Sequence, residues 1–377
     1  MNEIYLDNAA TTKVYPEVVA EMKDVLINNY ANPSSLHKKG LAAEKKVKAA
    51  RANIAKKLAT QAKNIYFTSG GTEANNLAIK GTARALKRYG KTIITTKIAH
   101  PSVIKTCQDL AKEGFKIKYL PVDKTGRIDL DVLEKFLKQD TILLTLLAVN
   151  NELGTIQPLA KISNLIKDYD NTYFHVDGVQ ALAKIKDLTV EGIDLLTLSA
   201  HKIHGPKGIG ALYKSETARL KPLLSGSKQE KGLRPGTENV AGIVGFGKAI
   251  DLSKRIDIDK LYQLKEKLYQ NITKKLDYVK LNGPTIRQGA AHILNLSFKD
   301  IKAEVLVHSL AQDDIYISTG AACSSKEAKN HVLAELTDSK YQAGTIRISY
   351  SSQNTLNDIE ITAKKIIEHV NSLRKLV

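Results

Sequence analysis

The chain has 377 residues, of which 43% are hydrophobic, so its length and composition allow two or three domains with buried cores. The 57 lysines and arginines exceed the 39 aspartates and glutamates, which gives a formal net charge of +18 and raises the alternative of a nucleic-acid-binding protein. The longest apolar stretch, residues 142–149, is far too short to span a bilayer, and the amino terminus shows no signal peptide.

The basic residues do not follow the pattern of a nucleic-acid-binding motif. The sequence contains no helix-turn-helix, RNP or zinc-finger pattern, and its lysines are spread along the chain, including the exposed face of a predicted helix at residues 38–57. We therefore interpret the charge as a solvated, lysine-rich surface and expect no direct binding of nucleic acid.

The two cysteines, Cys107 and Cys323, lie far apart and form no CxxC pair, and no group of histidines and cysteines has the spacing of metal ligands. We therefore expect no structural metal. Sparse, unpaired cysteines indicate a reducing compartment, and together with the absence of a signal peptide they predict a cytoplasmic protein that does not associate with membranes.

Predicted strands and helices alternate from about residue 14 to residue 246, as a doubly wound, mostly parallel sheet requires. A charged, helical junction at residues 248–260 then leads into a second region with fewer elements, which ends in an amphipathic helix at residues 355–373. The sequence therefore predicts an α/β protein with a large domain followed by a smaller one.

The first candidate binding element is a strand beginning at Ile65 that runs into the turn Ser69-Gly70-Gly71-Thr72 and then into a helical pattern at residues 74–86. Glycines let the backbone approach an anion, and the N–H groups of the helix's first turn bind it. The turn lacks the Gly-Lys-Ser/Thr sequence of a Walker loop, and a Gly-Gly turn alone is weakly specific. It is therefore a candidate phosphate cradle.

A second element has an acid at the end of a strand. The apolar stretch at residues 173–176 closes with Asp177, and Gln180 follows at what reads as the start of a helix. A pyridoxal phosphate enzyme needs a carboxylate that keeps the pyridinium nitrogen protonated, and Gln180 could donate to the ring oxygen. The alternative for Asp177 is an ordinary helix cap.

A third element delivers a lysine from a buried strand into a loop of glycine and proline. The strand at residues 193–198 is followed by Lys202, which therefore lies at a carboxyl end, where open α/β sheets bind ligands. His201, His204 and Lys207 surround it with potential cations, and like charge with desolvation lowers a lysine pKa enough to make the amine nucleophilic. Lys202 is a candidate Schiff-base lysine, and the alternative is a surface loop of a lysine-rich protein.

These three elements and further motifs in the same order resemble the cysteine desulfurases, which are class-V aminotransferases and fold-type I pyridoxal phosphate enzymes. The resemblance extends along nearly the whole chain. The matching segments are YLDNAATT at residues 5–12, NPSSLH at 32–37, TSGGTEANNLA at 68–78, NNELG at 150–154, HVD at 175–177, SAHKIHGPKG at 199–208, GLRPGT at 232–237, STGAACS at 318–324 and TIRIS at 345–349.

The resemblance implies a fold-type I transferase of the α/β class. Residues 14–250 would form a large domain with a mostly parallel, seven-stranded sheet flanked by helices. Residues 1–13 and 251–377 would form a smaller α+β domain that carries the cysteine loop. It also implies an active site in the cleft between the domains and a homodimer with shared active sites.

The resemblance assigns roles to individual residues. Lys202 resembles the lysine that binds pyridoxal 5′-phosphate through its amine, His100 the imidazole that stacks on the ring, and Asn151 the amide beside the ring hydroxyl. Arg347 resembles the arginine whose planar guanidinium binds both oxygens of the substrate carboxylate, and Asn8 belongs with it to the substrate site. The residues that resemble phosphate ligands are Gly71, Thr72, Ser199, His201 and, from the second subunit, Thr237.

Cys323 distinguishes a desulfurase from its relatives. A desulfurase needs a thiolate that attacks the sulfur of L-cysteine, keeps it as a persulfide and releases alanine. Cys323 precedes Ser324 and Glu327, which have capping-box spacing, and a helix N-terminus lowers a thiol pKa. The alternative for such a cysteine is a buried, inert thiol. We interpret Cys107, on an amphipathic helical stretch, in this way. An aminotransferase of the same fold needs no cysteine, whereas a selenocysteine lyase stays an alternative.

Two features bear on the partners. Residues 226–231 read GSKQEK, where the family usually has a glycine triplet followed by an acid and an arginine, so Lys231 puts the intersubunit phosphate contacts in doubt. Family members that pass sulfur to an iron–sulfur scaffold carry a longer carboxyl-terminal extension than this chain, and the basic charge favours an acidic partner or one that holds tRNA. We therefore expect a tRNA-thiolating enzyme as the main sulfur acceptor, with an iron–sulfur scaffold as the alternative.

Overall fold

The computed structural model describes residues 3–138, 140–186, 188–319, 332 and 339–375. Within them the strands are β1 (Ile4–Tyr5), β2 (Ile65–Thr68), β3 (Thr92–Thr96), β4 (Lys116–Leu120), β5 (Thr141–Leu147), β6 (Tyr173–Asp177), β7 (Leu195–Ser199), β8 (Gly210–Lys214), β9 (Val279–Leu281), β10 (Ile293–Phe298), β11 (Ile315–Tyr316), β12 (Ser318–Thr319) and β13 (Thr345–Ser349). The α-helices are α1 (Pro16–Asn28), α2 (Lys38–Lys57), α3 (Gly71–Leu86), α4 (Pro101–Lys112), α5 (Leu130–Leu137), α6 (Leu159–Ile166), α7 (Val240–Leu252), α8 (Ile258–Thr273), α9 (Ala303–Gln312), α10 (Ser339–Gln342) and α11 (Leu356–Arg374).

Seven strands form one large sheet in the order β2-β8-β7-β6-β5-β3-β4. Strand β8 pairs antiparallel with both of its neighbours, whereas the remaining neighbouring pairs are parallel. β5 and β7 are buried along their whole length, as expected of strands whose two faces are both covered. The predicted α/β class with a mostly parallel, seven-stranded sheet is therefore confirmed.

A second, smaller sheet is antiparallel and has the order β12-β13-β10-β9. Helix α11 packs against α8 and α9 on this sheet. The apolar side chains of these helices form one core with those of the strands, and this core includes Leu264, Leu296, Phe298, Ile346 and Ile366.

The amino-terminal segment connects the two sheets. β1 pairs with β11, and Ile4 and Leu6 pack into the core of the small sheet. Ala9 packs into the core of the large sheet, and the backbone N–H of Thr12 donates to the carbonyl of His201 over 2.9 Å. The segment thus crosses the end of β7, while the domain boundaries at residues 13/14 and 250/251 stay a prediction.

Local signals set several helix ends. Pro16 and Pro101 occupy the first positions of α1 and α4, where a missing N–H costs nothing. Thr355 and Asp358 form a capping box that starts α11. The predicted helix at residues 38–57 has these bounds in the structure. No helix in the described ranges is long and apolar enough to cross a membrane.

The predicted helix start at Gln180 was wrong. The N–H groups of Ala181 and Leu182 both donate to the carbonyl of Gly178, over 2.9 Å and 3.0 Å, which makes consecutive turns. Ala183 then has a φ of +60°, a left-handed conformation that ends any helical path. Gln180 therefore lies in a turn after β6.

Candidate active site

The parallel strands of the large sheet end at one edge, and several predicted site residues follow these ends. β6 ends at Asp177, β7 ends at Ser199, and Lys202 closes the short 3-10 helix that follows β7. β2 ends at Thr68, and the glycine turn connects it to α3. This topology brings the carboxylate, the lysine and the glycine turn to the edge where open α/β sheets bind ligands.

A cavity of about 500 Å³ opens at this edge. α3 begins at Gly71, so the N–H groups of its first turn, which have no partner within the helix, lie at the cavity with the positive end of the dipole. A Cβ on Gly71 would lie 2.9 Å from Val179 Cγ2, so a side chain does not fit there. The buried hydroxyl of Ser199 has no hydrogen-bond partner. The cavity is lined by Ala10, Thr11, Ser69, Gly70, Gly71, Thr72, Glu73, Ser199, His201, Lys207 and Gly208.

His201 contributes a neutral imidazole to this cavity. Its Nδ1 lies 3.1 Å from the hydroxyl of Thr11. Burial lowers the pKa of His201 to about 4, and the charges of Lys202, Lys207 and Lys184 act in the same direction. His201 therefore offers a hydrogen-bond donor at neutral pH rather than a positive charge.

Like His201, His204 adds no positive charge beside Lys202, so the prediction was wrong for both histidines. With a φ of +64°, it stacks on Tyr15 at a ring-centroid distance of 4.2 Å. Its backbone N–H donates to Thr12 Oγ1 over 2.7 Å, and its ring Nδ1 lies 2.8 Å from the backbone carbonyl of Lys13. Burial lowers the pKa of His204 to about 4, so it is a neutral anchor for the amino-terminal segment.

The amino-terminal segment holds the Lys202 ammonium, which donates to the carbonyls of Ala9 and Ala10 over 2.7 Å each. Gln180 shares the first of these carbonyls, to which its Nε2 donates over 2.8 Å. Lys184, which was not predicted from the sequence, is buried, and its Nζ has no hydrogen-bond partner. Burial, and then the charge of Lys202, lowers the pKa of Lys184 to about 7.

A chain of hydrogen bonds connects Asp177 to His100. The Nδ2 of Asn75 donates to Asp177 Oδ2 over 2.7 Å and to Ser102 Oγ over 2.8 Å. Asp177 Oδ1 accepts from the N–H of Val179 over 3.0 Å, and Ser102 Oγ lies 2.8 Å from His100 Nδ1. Asn75 was not predicted as a site residue. Its position one turn after Gly71, in the predicted helix, is nevertheless visible in the sequence.

Arg347 lies between two carboxylates. Its Nη2 is 2.9 Å from Asp7 Oδ1, and its Nη1 is 2.8 Å from Glu152 Oε1. Nη1 also donates to the carbonyl of Asn151 over 3.1 Å. Burial raises the pKa of Glu152 to about 7, against the opposing effect of the Arg347 charge. Neither acid was predicted from the sequence, and both fix the orientation of the guanidinium.

The side chains of Asn8 and Asn151 bond within the protein. The Nδ2 of Asn8 donates to the carbonyls of Ser349 and Tyr5 over 3.0 Å and 3.2 Å, so it ties the amino-terminal segment to β13. The Nδ2 of Asn151 donates to Glu152 Oε1 over 3.0 Å. Their roles toward substrate and cofactor stay predictions.

Two further predicted residues lie away from this geometry. Thr237 is exposed in the loop before α7 and is not among the residues that line the cavity of its own chain. Cys323 lies outside the described residues, together with the predicted capping box of Ser324 and Glu327. The structure therefore describes the predicted cofactor-binding residues and not the predicted thiol.

A lysine amine, a buried carboxylate and an anion cradle at the carboxyl edge of an open α/β sheet define a fold-type I pyridoxal phosphate enzyme. Residues 4–361 match the family model of the Aminotransferase class-V family. A cysteine desulfurase IscS from Dictyoglomus turgidum is 42% identical over 380 residues, which cover 99% of this chain and 96% of that protein.

Solved structures agree with this match. A NifS-like protein has a TM-score of 0.91 and 35% sequence identity, with 98% of this chain and 100% of that one covered. SspA in complex with cysteine has a TM-score of 0.81 and 33% identity, with 94% of this chain and 100% of that one covered. The chain belongs to the class-V aminotransferase family and, within it, to the pyridoxal-phosphate-dependent cysteine desulfurases.

The residues present fit the cofactor of this family. The cradle at Gly71 suits a phosphate, and the unpartnered hydroxyl of Ser199 can donate to one. Asp177 is a buried carboxylate that can pair with the pyridine nitrogen, and Lys202 supplies an amine. Among the residues that the structure describes, no group of three or more His, Cys, Asp or Glu side chains could hold a metal ion.

Proposed function

We propose that this enzyme takes sulfur from L-cysteine, releases L-alanine and keeps the sulfur as a persulfide on Cys323 until an acceptor receives it. The Cys323 thiolate attacks the substrate sulfur, so an S–S bond forms while the Cβ–S bond of the substrate breaks, and the carbon takes up a proton. The convergence of Lys202, Asp177 and the anion cradle at one sheet edge carries the proposal. The related SspA, solved in complex with cysteine, supports cysteine as the substrate.

The proposed phosphate ligands Gly71, Thr72, Ser199 and His201 are among the residues that line the cavity at the sheet edge. When bound, pyridoxal phosphate supplies the electron sink that labilises the bonds of an amino acid. Asp177 would pair with its ring nitrogen, and the amide of Asn75, 2.7 Å away, holds this carboxylate in place. His100 would stack on the ring. The other proposed ligands are Gly71, Thr72, Ser199 and His201 for the phosphate, Asn151 and Gln180 for the ring oxygen, and Thr237 for the phosphate of a second subunit.

We propose that Lys202 and His100 move the protons. The Lys202 amine must be neutral to take a proton from the substrate. The Nδ1 of His100 accepts from the N–H of Ser102 over 3.1 Å, so the neutral ring carries its proton on Nε2. That proton is the one we assign to exchange with the reacting amino acid.

We propose that Arg347 binds the substrate carboxylate, with Asn8 beside it. The Arg347 side chain is only 5% exposed, and Asp7 and Glu152 hold it from two directions. Its planar fork is thus ordered before the substrate arrives, which lowers the entropy that binding costs.

We propose a homodimer in which each subunit contributes to the site of the other. Thr237 is exposed and does not line its own cavity, as a residue that serves a second subunit requires. Large apolar side chains are also exposed on α1 and in the loop after it, and this is the surface that we propose for the interface. These side chains are Val19, Leu26, Ile27, Tyr30 and Leu36.

The activity is tested on the purified holoenzyme with L-cysteine and a thiol reductant that releases the persulfide sulfur. We expect alanine and sulfide in equal amounts, because each turnover moves one sulfur. A keto acid in place of alanine would indicate an aminotransferase. Alanine from selenocysteine but none from cysteine would indicate a selenocysteine lyase, and either result would overturn the proposal.

We propose a tRNA-thiolating enzyme as the main sulfur acceptor. The net charge of +18 speeds encounter with an acidic partner or with a protein that already holds tRNA, since complementary charge raises association rates. An iron–sulfur scaffold is the second candidate. Because the persulfide forms on a reduced thiol, we propose a reducing, cytoplasmic setting for this transfer.

A competition experiment tests the acceptor. Enzyme charged with radiolabelled sulfur from cysteine is offered both acceptors at equal concentration, and the thiolating enzyme is expected to take most of the label. Transfer should fall as salt rises, because screening weakens steering between charged surfaces. Preferential labelling of the scaffold would overturn the choice of acceptor, and a Cys323→Ser enzyme gives the background.

A further inference from the structure

His292 is a buried histidine that links the small sheet to a predicted cofactor ligand. It immediately precedes β10, its ring is fully buried, and its carbonyl accepts from the N–H of Tyr350 over 3.0 Å. Its Nε2 lies 3.3 Å from Oε1 of Gln180, in the turn after β6. Neither the sequence motifs nor the proposed mechanism uses this histidine.

The hydrogen bonds around Gln180 fix which of its atoms faces His292. The carbonyl of Ala9 can only accept, so the Gln180 atom 2.8 Å from it is the amide nitrogen. The amide oxygen therefore faces His292, and it too can only accept. His292 must then carry a proton on Nε2 and donate it to Gln180.

His292 keeps a single ring proton at neutral pH. Burial holds the pKa of His292 well below its ordinary value, so the ring is neutral. With the proton on Nε2, Nδ1 is a bare acceptor, and this buried atom has no hydrogen-bond partner. Nearby cations lower the pKa in the same direction as burial does, and these are Lys184, Lys265, Arg347 and Lys202.

The unpartnered nitrogen separates the role of His292 from that of a packing residue. A buried polar atom without a partner costs free energy, and an apolar ring of similar size would fill this position without that cost. What a histidine adds here is the N–H that it directs at Gln180. The position therefore carries a hydrogen-bond donor that the fold does not need for packing.

We propose that His292 is a positioning residue that holds the Gln180 amide so that its NH₂ group points to the cofactor side of the site. The NH₂ group already shares the Ala9 carbonyl with the Lys202 ammonium. Without the N–H of His292, the Oε1 of Gln180 loses this donor, and the Ala9 carbonyl is left to orient the amide. The inference rests on the proposed role of Gln180 as a ligand of the ring oxygen.

The test compares holoenzymes with His292→Phe, His292→Gln and His292→Asn. Phenylalanine keeps the ring without the N–H, glutamine can reach Gln180 with an amide N–H, and asparagine is too short. We expect His292→Phe and His292→Asn to release pyridoxal 5′-phosphate about tenfold faster on dilution, as for the loss of one hydrogen bond. The pH midpoint of the cofactor absorbance should shift as well. His292→Gln should stay within about twofold of wild type.

Two controls separate positioning from stability. His369→Phe removes a histidine of the same region that bonds to Asp313 at the surface, and it should leave cofactor release unchanged. Thermal unfolding of each variant shows whether it is folded. If His292→Phe does not fold, the comparison of His292→Gln with His292→Asn decides. Equal release rates for these two variants would overturn the proposal.

A double-mutant cycle with Gln180→Leu tests whether His292 acts through Gln180. In the Gln180→Leu enzyme, His292→Phe should have no further effect on release or on the absorbance midpoint. If the effects of His292→Phe and Gln180→Leu add, the inference about His292 is wrong, whereas the proposed role of Gln180 is unaffected. If Gln180→Leu by itself changes neither quantity, the proposed role of Gln180 fails and the inference falls with it, while the desulfurase activity remains as measured.

Discussion

Lys202→Ala is expected to abolish alanine formation from cysteine, with a loss of more than about 10³-fold, because a positioned acid or base alone contributes 10²–10⁴-fold. The amine is the group that we propose to bind the cofactor and to move the substrate proton. In the structure Lys202 lies just after the carboxyl end of β7, and its amine donates hydrogen bonds to the carbonyls of Ala9 and Ala10. Single-turnover assays of alanine measure the loss, and the exposed Lys186→Ala is the matched control.

Lys202→Arg separates the amine from its charge. Arginine keeps a positive charge that can bond to the two carbonyls, but it stays protonated and cannot act as a base. We therefore expect it to be as inactive as Lys202→Ala while the protein remains folded. Borohydride treatment followed by peptide mapping should find the cofactor on Lys202. Cofactor on another lysine, or an active Lys202→Arg enzyme, would show that the assignment is wrong.

The strand ends could be predicted because their signals are local. An apolar run that stops at Asp177, and another that stops shortly before Lys202, are visible in the sequence, and parallel strands place such ends at one edge. The glycine turn at Gly71 is likewise a local pattern of strand, turn and helix. These three features needed no knowledge of which distant residues meet.

The partners of these residues could not be predicted, because each contact joins distant parts of the chain. Arg347 meets Asp7 across 340 residues, and Asn75 meets Asp177 across 102. Residue type alone does not say which buried acid faces which base. His292 illustrates the same limit, since its role depends on the orientation of an amide 112 residues away.

Lys231, which stands where the family usually has an arginine, contacts residues of its own subunit. Its Nζ donates to the carbonyl of Lys63 over 2.9 Å and lies 5.6 Å from the centre of the Tyr66 ring. The adjacent Glu230 is buried and forms an ion pair with Arg51 at 2.7 Å. These contacts lie at the start of β2, at the opposite end of that strand from the glycine turn, so in this chain Lys231 binds the surface of its own subunit.

Cys323→Ser is expected to eliminate the protein-bound persulfide while the absorbance of the cofactor stays that of the wild type. The thiol acts only after the substrate is bound, so its loss leaves the cofactor ligands intact. The other cysteine cannot replace it. Cys107 is fully buried on α4, and burial raises the pKa of its thiol to about 12. On the order of one Cys107 thiol in 10⁵ is therefore ionised at pH 7.

The measurement is peptide mapping with radioactivity detection for each variant after exposure to radiolabelled cysteine. Wild type and Cys107→Ala should both carry the label on the peptide that contains Cys323, and Cys323→Ser should carry none. Alkylation near neutral pH should modify Cys323 first, because the thiolate is the reacting species and a buried thiol with a raised pKa supplies almost none of it. Label or alkylation that appears first on Cys107 would mean that Cys323 is not the nucleophile. Such a result would also require Cys107 to become exposed during turnover, since this residue of α4 is completely buried in the described structure.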